Sequence, residues 1–277
     1  MKRTDYSKTV LLIAKDEDDF YSSISTLLST SFNCRIVKSS DLVHEADFSV
    51  VLGGDGTVLA AARAGLKSPV IVINTGHLGF LTSADKSNFN EVLFDFDDWY
   101  FSEDFNRPTA PECTLTTRHM LDIKVGNDSY FALNDIAIKN FSKLARVSVF
   151  AVINKQEEII SEYRADGLIV ATPTGSTAYS LSASGPIIHP SCKSYVITPI
   201  CPQGLTQRPL VIPADWHLRI QLEDEMNVSI DGQIARDTPK GTSIEVRYNS
   251  HAIETLNPSH SYFEVLRDKL GWGIKPV

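Results

Sequence analysis

Gly53-Gly54-Asp55-Gly56-Thr57 sets one carboxylate among three glycines and a hydroxyl residue. The glycines remove side chains, so a ligand can approach the backbone closely. An apolar run, Phe48 to Leu52, leads in, and an Ala-rich stretch, Thr57 to Gly65, leads out. The loop therefore reads as a strand-to-helix turn. The helix start offers unpaired N–H groups and the positive end of a dipole, a natural seat for phosphate. Asp55 is repelled there unless it meets Mg²⁺ or takes a proton, and a general base facing a hydroxyl does the second. No G-x-x-x-x-G-K-[ST] sequence is present, so this is not a Walker A loop. A tight turn with a capping aspartate also accounts for a bare G-G-D-G. Its place at the carboxyl end of a parallel strand favours a ligand.

A longer run follows Arg164-Ala165-Asp166-Gly167. The apolar stretch Leu168 to Ala171 enters Thr172-Pro173-Thr174-Gly175-Ser176-Thr177-Ala178-Tyr179-Ser180-Leu181-Ser182-Ala183-Ser184-Gly185-Pro186. Small hydroxyl residues offer many donors and little bulk, which suits ribose, amide and phosphate groups. The Tyr179 ring can stack on a ligand or hydrogen-bond to it. A purely structural connection is common for a short Ser/Thr/Gly stretch and uncommon for one so long.

The elements around these loops fall into two kinds. Val10 to Ala14 reads as a buried strand. The acidic residues from Asp16 to Asp19 suit a helix N-terminus, and Phe20, Ile24, Leu27 and Leu28 form a helical stripe. Cys34 to Val37, Phe48 to Leu52 and Val70 to Ile73 read as further strands. Strands alternating with helices imply a parallel sheet covered on both faces. The segment Arg107-Pro108-Thr109-Ala110-Pro111 reads as a boundary. Beyond it, alternating segments lie at Met120 to Val125, Val147 to Ile153, His217 to Leu222 and Ile244 to Tyr248, separated by Gly-containing turns. Tyr262 to Leu270 is helical by periodicity, with Phe263, Leu266 and Leu270 on one face. The expected fold is an α/β N-terminal domain with a parallel Rossmann-like sheet over residues 1–105, and a β-rich, sandwich-like domain over 106–255. A C-terminal helix and tail occupy 256–277. Asp95 to Trp99 reads as a solvated acidic loop.

Composition narrows the function classes. The chain has 277 residues, 43% hydrophobic and 22% charged, ordinary for a globular protein that buries its own core. The balance of 26 basic and 34 acidic residues leaves −8, with no basic stripe for nucleic acid. Local fields still allow an anionic ligand. Cys34, Cys113, Cys192 and Cys201 form no C-x-x-C pair and read as free thiols of a reducing compartment. Cys113 and Cys201 read as buried small residues. The seven histidines show no metal-ligand spacing, and His77 reads as structural. No apolar run reaches the length of a signal core or a membrane span, which points to the cytoplasm.

Taken in order, the two loops resemble the NAD kinase family. Asn74-Thr75-Gly76-His77-Leu78-Gly79-Phe80-Leu81, Arg208-Pro209-Leu210-Val211-Ile212 and Leu266-Arg267-Asp268-Lys269-Leu270-Gly271-Trp272 add to the resemblance, which runs from about residue 50 to the C-terminus. It implies transfer of the terminal phosphoryl group of ATP, or of polyphosphate, to the 2′-hydroxyl of the adenosine ribose of NAD, giving NADP. By resemblance Asp55 is the proton acceptor, with Gly53, Gly54, Gly56 and Thr57 at the phosphates. Asn134-Asp135 matches a pair that binds nucleotide groups, although the family usually has Glu where Asp135 stands, one methylene longer. Arg146 and Arg164 match positions facing the dinucleotide phosphates, and Asp166 matches one at the nicotinamide end. Thr174 and Thr177, with Ala178, Tyr179, Ser180, Leu181 and Ser182, match the loop around the adenosine and the neighbouring subunit's ligand. Ser184 stands where the family usually has Gly. Gln233 matches a further NAD contact and equally suits a hairpin residue after Asp231-Gly232. Phe80 suits stacking on adenine and equally suits the core. The resemblance further implies an active site in the cleft between the domains and a C-terminal helix returning to the first domain. It also implies Mg²⁺ or another divalent cation held mainly by nucleotide phosphates, and a homodimer or homotetramer. Two competing readings are a lipid or sphingoid-type kinase, which shares the G-G-D-G-T loop, and a nucleotide sensor without turnover. The Thr-Pro-Thr-Gly-Ser-Thr-Ala-Tyr run argues against the first, and the intact Asp55 against the second.

Overall fold

The computed structural model describes residues 5–15, 17–37, 45–76, 79–101, 114–257 and 261–273. The expected boundary at 107–111, His77 and Cys113 lie outside the described residues. The chain divides into two compact units, one reaching Thr117 and resuming at Ile253, the other running from Arg118 to Ala252.

The first unit holds β1 (Asp5–Ala14), α1 (Asp19–Ser31), β2 (Phe32–Val37), β3 (Phe48–Leu52), α2 (Asp55–Arg63), β4 (Val70–Asn74), β5 (Ala84–Asp85) and α3 (Phe89–Tyr100). Asp18 caps α1 by accepting the Tyr21 N–H at 2.8 Å, and Ile24 and Leu28, one turn apart, are fully buried. All five residues of β3 and all five of β4 are buried, as a parallel sheet covered on both faces requires. β1 pairs in parallel with β2 and β3, and β3 with β4, giving the order β2-β1-β3-β4. Strand order therefore reverses between β1 and β3, and crevices that bind ligands open at such a point beyond the strands' carboxyl ends. Gly53 and Asp55 follow the end of β3 there.

The core of this unit is aromatic at one end. Phe48 is fully buried and meets Phe32 and Phe96 edge-on at centroid distances of 5.4 and 5.5 Å. The expected acidic loop at Asp95 to Trp99 is instead part of α3. Leu93, Phe96 and Asp97 share its buried face, and Lys8 Nζ donates to Asp97 Oδ1 at 2.7 Å. That ion pair lets a carboxylate occupy a core-facing position, which polar composition alone argues against.

The second unit begins within β6 (Leu115–Val125) and continues through β7 (Asp128–Ala132), β8 (Asp135–Lys139), β9 (Ala145–Ile153), β10 (Gln156–Ala165) and β11 (Gly167–Ala171). A short helix α4 (Tyr179–Ser182) precedes β12 (Ser194–Ile200), β13 (Leu210–Pro213), β14 (His217–Leu222), β15 (Met226–Ile230), β16 (Ile234–Thr238) and β17 (Ser243–Leu256). One antiparallel sheet runs β13-β12-β11-β8-β15-β16, and β10, β9, β14 and the start of β17 line up in another layer. Ile138, Val149, Leu168, Tyr195, Ile220 and Val246 pack into one buried cluster, the sandwich interior. β14 shows the alternation that such packing demands, burying Leu218, Ile220 and Leu222.

β17 ends in the first unit, where Thr255 pairs in parallel with Val70. α5 (Tyr262–Leu270) follows in that unit. Ser261 and Glu264 form a capping box at its start, and Gly271 closes it in the left-handed conformation, φ 63°. Only Leu266 of the expected stripe is buried, together with Val265, whereas Phe263 and Leu270 are 52% and 40% exposed. The packed side is turned toward Val265. No helix among the described residues is long and apolar enough to cross a membrane.

Phe48→Ala removes the ring that Phe32, Phe96 and Phe101 all meet, and is expected to cost about 3–5 kcal/mol, read from the urea midpoint.

Candidate active site

Gly54 caps α2 without a side chain, and Asp55 is the helix's first residue. Both Asp55 oxygens are held by main chain: Oδ2 accepts the Phe80 N–H and Oδ1 the Leu81 N–H, each at 3.0 Å. A Cβ at residue 79 would lie 2.2 Å from Asp55 Oδ1, so only glycine leaves room for the carboxylate. The turn that brings Gly79 there is closed by Thr82, whose hydroxyl donates to the Gly79 carbonyl at 3.1 Å. Gly53 N–H donates to the Ile73 carbonyl at 3.0 Å, tying the loop to β4. Gly56 and Thr57 complete the first turn of α2, and the Thr57 N–H donates to the Gly54 carbonyl at 3.0 Å. From α5, Lys269 Nζ stands 3.8 Å from Asp55 Oδ2 and 4.6 Å above the Phe80 ring. Phe80 is thus half-buried, with an ammonium on its face.

In the second unit the organising group is Asp231, which holds a left-handed backbone, φ 49°, after β15. Its carboxylate accepts the N–H groups of Leu133 at 3.2 Å, Asn134 at 2.8 Å and Asp135 at 3.2 Å. Asn134 and Asp135 are fixed by these bonds at the start of β8. Burial pushes the Asp135 carboxyl up to about 7, the Asp231 charge adds to that, and Lys139 opposes it.

The hydroxyl-rich loop packs onto this corner. Thr172 Oγ1 donates to the Leu133 carbonyl at 2.6 Å, and the Thr172 N–H donates to the Asn134 carbonyl at 2.8 Å. A Cβ on Gly175 would lie 2.0 Å from the Asn134 carbonyl oxygen, so glycine permits the contact. Several hydroxyls serve the loop itself. Ser176 Oγ donates to the Pro173 carbonyl at 2.6 Å, and Ser180 Oγ and Thr198 Oγ1 share a hydrogen at 2.8 Å. Ser180 is fully buried, so its hydroxyl faces the fold. Thr174 is buried too and accepts from Arg118 Nη1 at 3.4 Å, while Thr177 Oγ1 donates to the Thr174 carbonyl at 3.1 Å. Ala178 joins the 3₁₀ turn Gly175–Thr177 to α4, where Leu181 is half-buried and Ser182 exposed. Ser184 lies at φ 66°, the left-handed region where glycine costs nothing.

Tyr179 is 37% exposed, with Lys139 Nζ 5.4 Å above its ring. Tyr179, Lys139, Asp166 and Ile200 line one cavity of about 410 Å³. Arg146 and Arg164 are exposed and directly opposite each other across β9 and β10. Like charges so placed repel, and an anion between them relieves the repulsion. Gln233 is exposed, and its N–H donates to the Ile230 carbonyl at 2.9 Å, closing the β15–β16 hairpin. Sequence reasoning missed Arg118, Asp231 and Lys269 as site residues. Each was legible only as a strand, turn or helix residue. Cys201 is exposed rather than buried, Cys192 is exposed as well, and burial raises the half-buried Cys34 thiol.

A main-chain-anchored carboxylate thus stands at the switch point of the first unit's parallel sheet, where open α/β sheets bind ligands, and the second unit is a β-sandwich. Family models agree. One described as the ATP-NAD kinase N-terminal domain matches residues 22–96, and one described as the ATP-NAD kinase C-terminal domain matches residues 133–257. The NAD kinase of Koribacter versatilis is 39% identical over 237 residues, covering 82% of this chain and 78% of that protein. The NAD kinase of Porphyromonas gingivalis strain W83 is 36% identical over 271 residues, covering 95% and 85%. Among solved structures, yeast NADH kinase complexed with NADH superposes with a TM-score of 0.80 at 25% identity, over 98% of this chain and 89% of that one. An NAD kinase from Archaeoglobus fulgidus in complex with ATP has the same fold, with a TM-score of 0.76 at 23% identity over 95% and 97%. The chain belongs to the NAD kinase family.

Asp135 binds a proton in the folded protein that it does not hold when unfolded near neutrality. Its contribution to stability is fully present below the ordinary carboxylate range and is lost as pH rises through about 7. Asp135→Asn removes that loss. Urea unfolding of the two proteins at about pH 5 and about pH 8 is expected to show the Asn variant gaining on the wild type at the higher pH.

Proposed function

We propose that this chain transfers the terminal phosphoryl group of ATP to the 2′-hydroxyl of the adenosine ribose of NAD, giving NADP and ADP. The reading rests on the curated relatives, and one observation carries its chemistry: the Asp55 carboxylate is locked by the Phe80 and Leu81 N–H groups at the start of α2. In the step, the 2′-oxygen attacks the terminal phosphorus, its proton passes to an Asp55 oxygen, and the bond to the ADP leaving oxygen breaks. Catalysis of this kind is positioning and charge stabilisation. Gly53 and Gly54 let phosphates approach the loop, and the α2 N-terminus receives their charge.

Asn134 and Asp135 bind ribose hydroxyls, with Asp231 setting their backbone and so bringing the shorter Asp135 side chain within reach. Tyr179 and Asp166 meet the dinucleotide, and Arg146 and Arg164 neutralise its phosphates. A divalent cation would be carried mainly by the nucleotide phosphates and water, with Asp55 the nearest carboxylate to the phosphate-binding loop. When bound, such an ion neutralises phosphate charge.

We further propose a homo-oligomer in the cytoplasm. Support comes from the exposed Leu210 and Val211 on the edge strand β13 and from the free thiols of Cys34, Cys192 and Cys201.

Asp55→Asn keeps the size, removes the base, and turns one of the two main-chain hydrogen bonds into a donor facing a donor. Turnover of NAD with ATP and Mg²⁺ is expected to fall about 10²–10⁴-fold, with NAD affinity by calorimetry retained. Gly79→Ala is expected to depress turnover as well, since its methyl group takes the space of Asp55 Oδ1, and circular dichroism should remain native. Unchanged turnover in Asp55→Asn contradicts the assignment.

A further inference from the structure

We propose that Lys269 is a catalytic cation of this site, pairing with Asp55 before transfer and with the transferring phosphoryl group as Asp55 takes the proton. The inference rests on the reading of Asp55 as proton acceptor given above.

The plain alternative is a tether that docks α5. The geometry disfavours it. Lys269 Nζ lies 3.8 Å from Asp55 Oδ2, beyond hydrogen-bond length, and the two side chains are 27% and 32% exposed. A pair of that kind stabilises a fold little. α5 is docked by other means: Val265 and Leu266 are buried, the capping box fixes its start and Gly271 its end. The helix therefore delivers Lys269 to a set position without needing its charge to stay there.

What the ammonium faces is informative. Asp55 Oδ2 already accepts the Phe80 N–H, and the Phe80 ring lies 4.6 Å beneath Nζ. Backbone and aromatic face hold the carboxylate and the ammonium side by side, with the lysine short of a bond. Its three N–H donors are thus not committed to Asp55.

The charge balance over the reaction completes the argument. Before transfer, Asp55 and Lys269 sum to zero. When the ribose proton reaches Asp55, the carboxylate becomes neutral and the pair carries one positive charge. That charge appears beside the loop where phosphate sits, at the moment when the phosphoryl oxygens carry the charge of the transition state. A cation held in advance and aimed at developing charge costs little reorganisation at the moment of reaction.

The test is steady-state kinetics of NADP formation for wild type, Lys269→Met, Lys269→Arg, Asp55→Asn and the Asp55→Asn/Lys269→Met pair, each with its thermal midpoint. Lys269→Met is expected to lower kcat about 10²-fold, with the KM for NAD and the midpoint unchanged. Lys269→Arg should restore part of that loss, and the double variant should lose no more than Asp55→Asn alone. Three results overturn the proposal: Lys269→Met with normal kcat, a loss that tracks a lowered midpoint, or losses that multiply in the double variant. If Asp55→Asn keeps full turnover, the reading of Asp55 itself fails. Loss in Asp55→Asn with normal Lys269→Met turnover sinks the lysine alone.

Discussion

Two backbone N–H groups decide where the Asp55 carboxylate points, and the first unit is arranged to deliver them. A short aspartate at a helix start has rotamer freedom, and a base that wanders loses rate. Phe80 and Leu81 remove that freedom by taking one oxygen each. For this the chain must leave β4 and turn so tightly that Gly79 lies against Asp55. The Thr82 hydroxyl closes that turn, and β5 then pairs back onto β4. The fully buried β3 and β4 make the platform rigid, and the reversal of strand order between β1 and β3 leaves the loop open beyond them.

The second unit solves a related problem with the roles exchanged. There a carboxylate organises main chain: Asp231 gathers the N–H groups of three consecutive residues, Leu133, Asn134 and Asp135. The consequence is electrostatic. Asp231 brings a negative charge close to a buried Asp135, which raises the cost of ionising it. On the proposed reading, a ribose hydroxyl that donates to Asp135 favours its ionised form, which links dinucleotide binding to this proton. The hydroxyl-rich loop spends Thr172, Ser176 and Ser180 on its own shape and leaves Tyr179 and Ser182 toward solvent.

Much of this was legible in the sequence. β3 begins and ends with its apolar run, α5 spans the stretch that periodicity marks, and the α/β and β-rich classes follow from the change in periodicity. Local motifs also marked Asp55 and the Thr172–Tyr179 loop, because glycines and small hydroxyls carry meaning by composition alone. Long-range partners were not legible. Nothing near Leu133 in sequence announces Asp231, 98 positions away, or joins Arg118 to Thr174 across 56. Asp95 to Trp99 reads as a loop in the sequence although it lies within α3, because its acidic residues hide the spacing of Leu93 and Phe96. Ion pairing with Lys8 makes the buried Asp97 acceptable, and that partner lies 89 positions off. Cys201 was misplaced for a simpler reason, since average burial of a residue type says little about one turn position.

Phosphorylation of NAD at the adenosine ribose is read from the product that the purified chain forms from NAD, ATP and Mg²⁺, identified by mass and by reduction with a dehydrogenase specific for NADP. The expected product is NADP, with one ADP released for each molecule formed. ATP hydrolysis without phosphorylated dinucleotide, or a dinucleotide phosphorylated elsewhere than the 2′-oxygen, would contradict it.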